Sequence, residues 1–145
     1  MANLMKTTDS RLPLVFNVDQ RVGQGCPNLP EDVALVSYLM RLAAKGAGPK
    51  TKPIFLNTAV TTTCTPALVQ SIKEVQIAHR MEPDGRVSPA TANGCYSKGV
   101  YLVFHFNGWV RRDYPDLWPR IDRIADAPTP AAVISLVQRA MLGIG

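Results

Sequence analysis

Three features of the chain predict a mainly α fold. Thr65-Pro66 and Thr129-Pro130 each place a capping hydroxyl ahead of a proline, a pairing that suits the first turn of a helix. Apolar residues recur at helical spacing in Val33, Val36, Leu39, Met40 and Ala43, in Leu68, Ile72 and Val75, and in Val133, Ile134, Val137 and Met141. The run Pro83-Asp84-Gly85-Arg86-Val87-Ser88-Pro89-Ala90-Thr91 supplies a tight Asp-Gly turn and then a Pro-x-Thr restart. Helix, glycine turn and restart make the frame of a small binding module rather than of a catalytic centre.

In chain order, Met1 to Arg11 reads as a polar, weakly ordered leader, within a leader of residues 1–20. Leu12 to Val18 is an extended segment or short edge strand, its proline belonging at an edge or a start. Val22-Gly23-Gln24-Gly25-Cys26-Pro27 is a loop. The first helix begins at Asn28, which caps it with Glu31 three residues on, and Pro30 sits harmlessly in the first turn. Gly46-Ala47-Gly48-Pro49 ends it. Pro53 to Leu56 is a short apolar run, and Thr58 to Thr65 a threonine-rich loop. The second helix starts at Thr65-Pro66 and runs to about Arg80. Gly94 to Gly99 is loop-like. A third helix is expected from about Lys98 to Asp113, although Tyr101 to Phe104 alone could be a strand. A short helical piece, Asp116 to Ile124, precedes the C-terminal helix.

The 145 residues suit one domain with one core, here residues 21–145. The longest apolar runs are too short to cross a bilayer, and the opening residues carry no basic region followed by an apolar stretch. No secretory signal is read, so an extracytoplasmic role calls for another export route or incorporation in a particle. Cys26, Cys64 and Cys95 are widely spaced, and with only His79 and His105 they give no metal-ligand pattern. The net charge of +5 is uneven. Arg41, Lys45, Lys50, Lys52 and Lys73 fall between Val33 and Lys73 with no acidic residue among them. The remainder is neutral, so the patch favours an anionic partner.

Two segments together resemble the peptidoglycan-binding-like domain, in the variant found with bacterial secretion machines and phage-like particles. The first runs from Arg21 through Val22-Gly23-Gln24-Gly25 and Asn28-Leu29-Pro30-Glu31-Asp32-Val33 to Val36. The second runs from Ile72 through Gln76 to Pro83-Asp84-Gly85-Arg86-Val87-Ser88-Pro89. The chain departs from the family between Gly46 and Thr65, where the loop is long and the earlier Asp-Gly turn is missing. The resemblance implies a three-helix peptidoglycan-binding-like core over residues 21–94, with an additional C-terminal helical extension over 95–145.

It also implies a non-enzymatic module for peptidoglycan or another anionic wall polymer, with no cofactor. The expected ligand-binding residues are Arg41, Lys45, Lys50, Lys52, Asp84 and Arg86. The alternative is a structural or adaptor subunit of a secretion apparatus or phage-tail-like particle, docking on other subunits through Trp109, Arg112, Tyr114 and Trp118. Nucleic acid is disfavoured, because aromatics beside arginines occur without a recognised nucleic-acid module. His79 and His105 are the side chains suited to acid–base work near neutral pH, but neither lies in a nucleophile, metal or glycosidase signature.

Overall fold

In the computed structural model, which describes residues 1–91 and 101–144, the first predicted helix runs as α1 (Pro30–Leu42) and lies at the centre of the molecule. A one-sided apolar stripe was the expectation. Instead every residue from Asp32 to Leu42 is buried except Arg41. The reason is that α1 is covered on several sides, by β3 (Val22–Gly23), α2 (Lys52–Leu56), α4 (Leu102–Asp113) and α5 (Ala131–Ile144). The fold is mainly α, and α3 (Pro66–Ala78) completes its helices among the described residues. Of the predicted helical starts, Thr65 caps α3 as expected, its hydroxyl accepting the Leu68 N–H at 3.1 Å.

The leader expectation is corrected. Asn3–Lys6 forms β1 and pairs antiparallel with β2 (Leu14–Asn17), in a register that sets Asn3 opposite Asn17 and Lys6 opposite Leu14. Thr7 closes the intervening loop, its hydroxyl donating to the Leu12 carbonyl at 2.6 Å. Ala2, Leu12, Val15 and Phe16 join the same hydrophobic cluster as Val133 and Val137. Leader and C-terminal extension are therefore parts of one core.

Four carboxamide side chains do the work of absent strands. Asn107, fully buried on α4, accepts the Phe16 N–H at 2.7 Å and donates to the Phe16 carbonyl at 2.9 Å. Asn17 grips Ala90 in the same way, both bonds at 2.9 Å. Gln76 accepts the Gly85 N–H at 2.9 Å and donates to Asp84 and to the Arg86 carbonyl. Asn28 accepts the Gly23 N–H and donates to the Gly23 carbonyl, each at 2.8 Å. Each carboxamide offers an acceptor oxygen and an NH2 donor, which together match the N–H and C=O of a peptide group that no neighbouring strand pairs.

Asn28 is accordingly not the helix cap. Its φ is +52°, the cap position is Leu29, and Glu31 instead pairs with Arg139 on α5 at 2.9 Å. The expected loop 22–27 begins with β3, which pairs antiparallel with β4 (Arg86–Val87). The restart expected at Pro89 to Thr91 forms no helix. The Gly94–Gly99 loop, Cys95 and the start of the third helix at Lys98 lie outside the described residues. From Leu102 on, that segment is helical, so Tyr101 to Phe104 is not a strand. The helical piece expected over 116–124 is reduced to a 3₁₀ turn at Ile121–Arg123, since Pro115 and Pro119 interrupt any longer run. The last helix begins at Ala131.

Asp32 ties the entry loop to α1. Its two carboxylate oxygens accept the N–H groups of Asp19 and Gln20, each at 2.9 Å. Burial pushes its pKa up, against the opposing pull of those two N–H groups. Asp32→Ala strands both donors and should cost about 2–4 kcal/mol, read as a lower urea midpoint.

Candidate functional site

Residues three and four apart on a helix share a face. On α1 that relation links Ser37, Tyr38 and Arg41. Ser37 holds the threonine-rich loop: its Oγ accepts the Thr61 N–H at 3.0 Å and lies 3.2 Å from the Thr61 carbonyl. Tyr38 holds the opposite bank, its hydroxyl donating to the Ile121 carbonyl at 2.8 Å and meeting the Thr129 hydroxyl at 3.0 Å. Arg41 reaches the space between the banks. That space is an open groove of about 720 Å³, lined by Arg41, by Thr58 to Thr62 and by Asp126 to Pro130.

Arg41 is half-buried and is the one cation among the groove's lining residues. Among the described residues it makes no ion pair. Asp126 also lines the groove, but its carboxylate accepts the Tyr114 hydroxyl. Burial raises the Tyr114 pKa and the bond to Asp126 raises it further, so Tyr114 remains a neutral donor. Thr58 turns its hydroxyl back to the Ile54 carbonyl at 2.8 Å, and the Thr61 hydroxyl accepts the Thr63 N–H at 3.1 Å, so the bank is tied by hydrogen bonds at both ends. The groove thus presents one guanidinium, one carboxylate, threonine hydroxyls and the peptide groups of two loops.

The other expected residues divide. Lys45 lies with its ammonium 4.4 Å from the centre of the Tyr114 ring. Arg112 pairs with Asp113 at 2.9 Å, and Asp113 accepts the Gly46 N–H at 3.0 Å. Lys45, Arg112 and Tyr114, drawn from both expected sets, thus meet where α1 and α4 end. Lys50 and Lys52 are exposed before and at the start of α2. Asp84 is a turn residue, accepting from Gln76 and from the Arg86 N–H, and Arg86 is exposed on β4.

The two tryptophans lie in separate clusters. Trp109 packs against His79, Phe55, His105 and Phe106, with the His79 ring centroid 4.7 Å away. Trp118 stands edge-on to Phe16 at 5.4 Å. His79 and His105, expected on different helices, are brought together and stack at 6.4 Å, and burial lowers the His79 pKa. No group of three or more potential metal ligands is gathered among the described residues. None of the described helices is long and apolar enough to cross a membrane.

Sequence reasoning found Arg41 but missed Ser37, Tyr38 and the 126–130 bank. The available signal was the Ser37-Tyr38 pair within the otherwise apolar run Val33 to Met40, which demanded polar partners. Compared with known proteins, the chain matches no family model, no curated protein and no solved structure.

Proposed function

We propose that the protein is a non-enzymatic binding module and that the Arg41 groove takes a carboxylate-bearing segment of peptidoglycan or a related anionic wall polymer. The observation that carries this reading is a half-buried arginine, with no ion pair among the described residues, set between two banks that its own helix holds in place. A guanidinium offers a planar fork of donors suited to a carboxylate. The threonine hydroxyls and loop peptides beside it suit the amides and hydroxyls of a wall polymer. The Val22–Gly23 pairing with Arg86–Val87 and the Gln76 grip on the Asp84-Gly85 turn support the finer reading of a three-helix peptidoglycan-binding-like core, with α1 and α3 as its first long helices.

The test is co-sedimentation of the purified protein with insoluble peptidoglycan across a salt series. Binding should weaken as salt rises. Arg41→Gln should reduce affinity about 10–100-fold, the worth of a charged hydrogen bond, without a change in unfolding midpoint. Equal pull-down of variant and wild type would remove the groove from the account.

The second reading, a docking subunit of a larger assembly, draws on exposed apolar residues, among them Leu142, Ile77 and Leu56 at 85%, 61% and 48% exposure. It receives less support from Trp109, Tyr114 and Trp118, whose rings already have partners within the chain. It predicts a defined oligomer by light scattering.

A further inference from the structure

The Arg41 groove holds a second charge. Asp126, which opens the 126–130 bank, is the one carboxylate among the lining residues, as Arg41 is the one cation. The two share the groove but do not pair with each other. Asp126 is exposed, yet its neighbours hold it in place. Its Oδ2 accepts the hydroxyl of the buried Tyr114, and Ala127 beside it is buried in the core. The Lys45 ammonium lies against the Tyr114 ring, 4.4 Å from its centre. The Asp126 Oδ1 makes no hydrogen bond among the described residues, which leaves it for a ligand.

Two opposite charges in one groove set the charge pattern of what it takes. A ligand with carboxylates alone is attracted by Arg41 and repelled by Asp126. A ligand that also carries an ammonium is attracted by both, and the repulsive element becomes a means of selection. We propose that the groove selects a zwitterionic ligand, Arg41 taking a carboxylate and Asp126 an ammonium of the same molecule. The proposal rests on the reading of the groove as a wall-polymer site. It narrows that polymer to stem peptides in which a diamino acid keeps its side-chain amine free. Meso-diaminopimelate carries an ammonium and a carboxylate together at the end of its side chain. Cross-linking turns that amine into an amide and removes its positive charge. The groove therefore takes uncross-linked stems in preference to cross-linked ones.

The experiment is calorimetric titration of the full chain with two muropeptides. The first is a disaccharide tripeptide whose one free amine is that of meso-diaminopimelate. The second is the same molecule acetylated at that amine, which stands for the cross-linked stem. Acetylation should weaken binding to the wild type about 10–100-fold, the worth of a charged hydrogen bond. Asp126→Asn retains an acceptor for Tyr114 and should bind the two ligands alike, at the weaker level. Arg41→Gln should bind the free-amine ligand less tightly but keep its preference for it. Equal binding of the two muropeptides by the wild type, or an Asp126→Asn protein that still prefers the free amine, would overturn the proposal and leave the wall-polymer reading standing. Binding of neither muropeptide would overturn both.

Discussion

Asn107→Ala should lower the free energy of unfolding by about 3–5 kcal/mol, a loss of about 10 °C in melting temperature for a chain of this size. The amide lies on α4 with no exposed surface. It bonds to the Phe16 N–H at 2.7 Å, the Phe16 carbonyl at 2.9 Å and the Val103 carbonyl at 2.8 Å. Alanine removes all of these and leaves the Phe16 peptide without its partner inside the core. A buried donor or acceptor left unmade costs about 1–3 kcal/mol, more than a satisfied bond contributes. The effect should concentrate in the β1–β2 hairpin, which packs on α4 through β2. Urea unfolding checks it: the midpoint should fall with the slope unchanged, and a change below about 1 kcal/mol would mean that the hairpin is held by apolar contact alone.

Gly23→Ala should cost about 2–4 kcal/mol, for two separate reasons. Gly23 has φ +147°, a conformation that a side chain resists. A Cβ there would also stand 2.4 Å from the Gly85 carbonyl oxygen and 3.0 Å from the Arg86 Cα. Those atoms are backbone, so no rotamer change relieves the contact. The β3–β4 pair must open, and the Gln76 grip on Gly85 loosens with it. Gly25 supplies the control. It has φ +73°, yet nothing lies within 4 Å of a Cβ built on it. Gly25→Ala should therefore cost only about 1 kcal/mol. Equal losses for the two variants would show that steric approach plays no part.

These two residues mark what the chain's letters could and could not convey. Helices were legible where local chemistry decides them. Thr65-Pro66 set the start of α3, and the periods of Leu68, Ile72 and Val75 or of Val133 and Val137 set buried faces. The Asp84-Gly85 turn was legible because glycine there takes a positive φ. The hairpin was not. Asn3–Lys6 contains no β-branched residue and no alternation, and it becomes a strand through its partner and through the core beneath Phe16. The amides were illegible for a deeper reason. Asn17 and Asn107 look like solvated polar residues, and their partners lie 73 and 91 positions away. Asn28 shows the ambiguity most directly: its place before Pro30 suits a cap, but its side chain is already occupied by Gly23.

The candidate site was half legible. The charge asymmetry picked out Arg41 together with Lys45, Lys50 and Lys52, because one-signed segments are visible in any sequence. What singles out Arg41 is its emergence from a helix buried on either side of it, and burial of that kind depends on elements from both ends of the chain. The opposite bank, Asp126 to Pro130, carries only the Thr129-Pro130 signal of a helical start, and it faces Arg41 through the bond from Thr129 to Tyr38.

The central claim is that the Arg41 groove is the surface that meets a wall polymer. The most direct test is amide NMR of the labelled protein during titration with soluble muropeptides of known stem-peptide length. The account predicts shift changes that saturate together at Arg41, Thr58 to Thr62 and Asp126 to Ala127, and that vanish in Arg41→Gln. Saturable changes confined to the surroundings of Trp109 or Trp118, or no change at all, would contradict it.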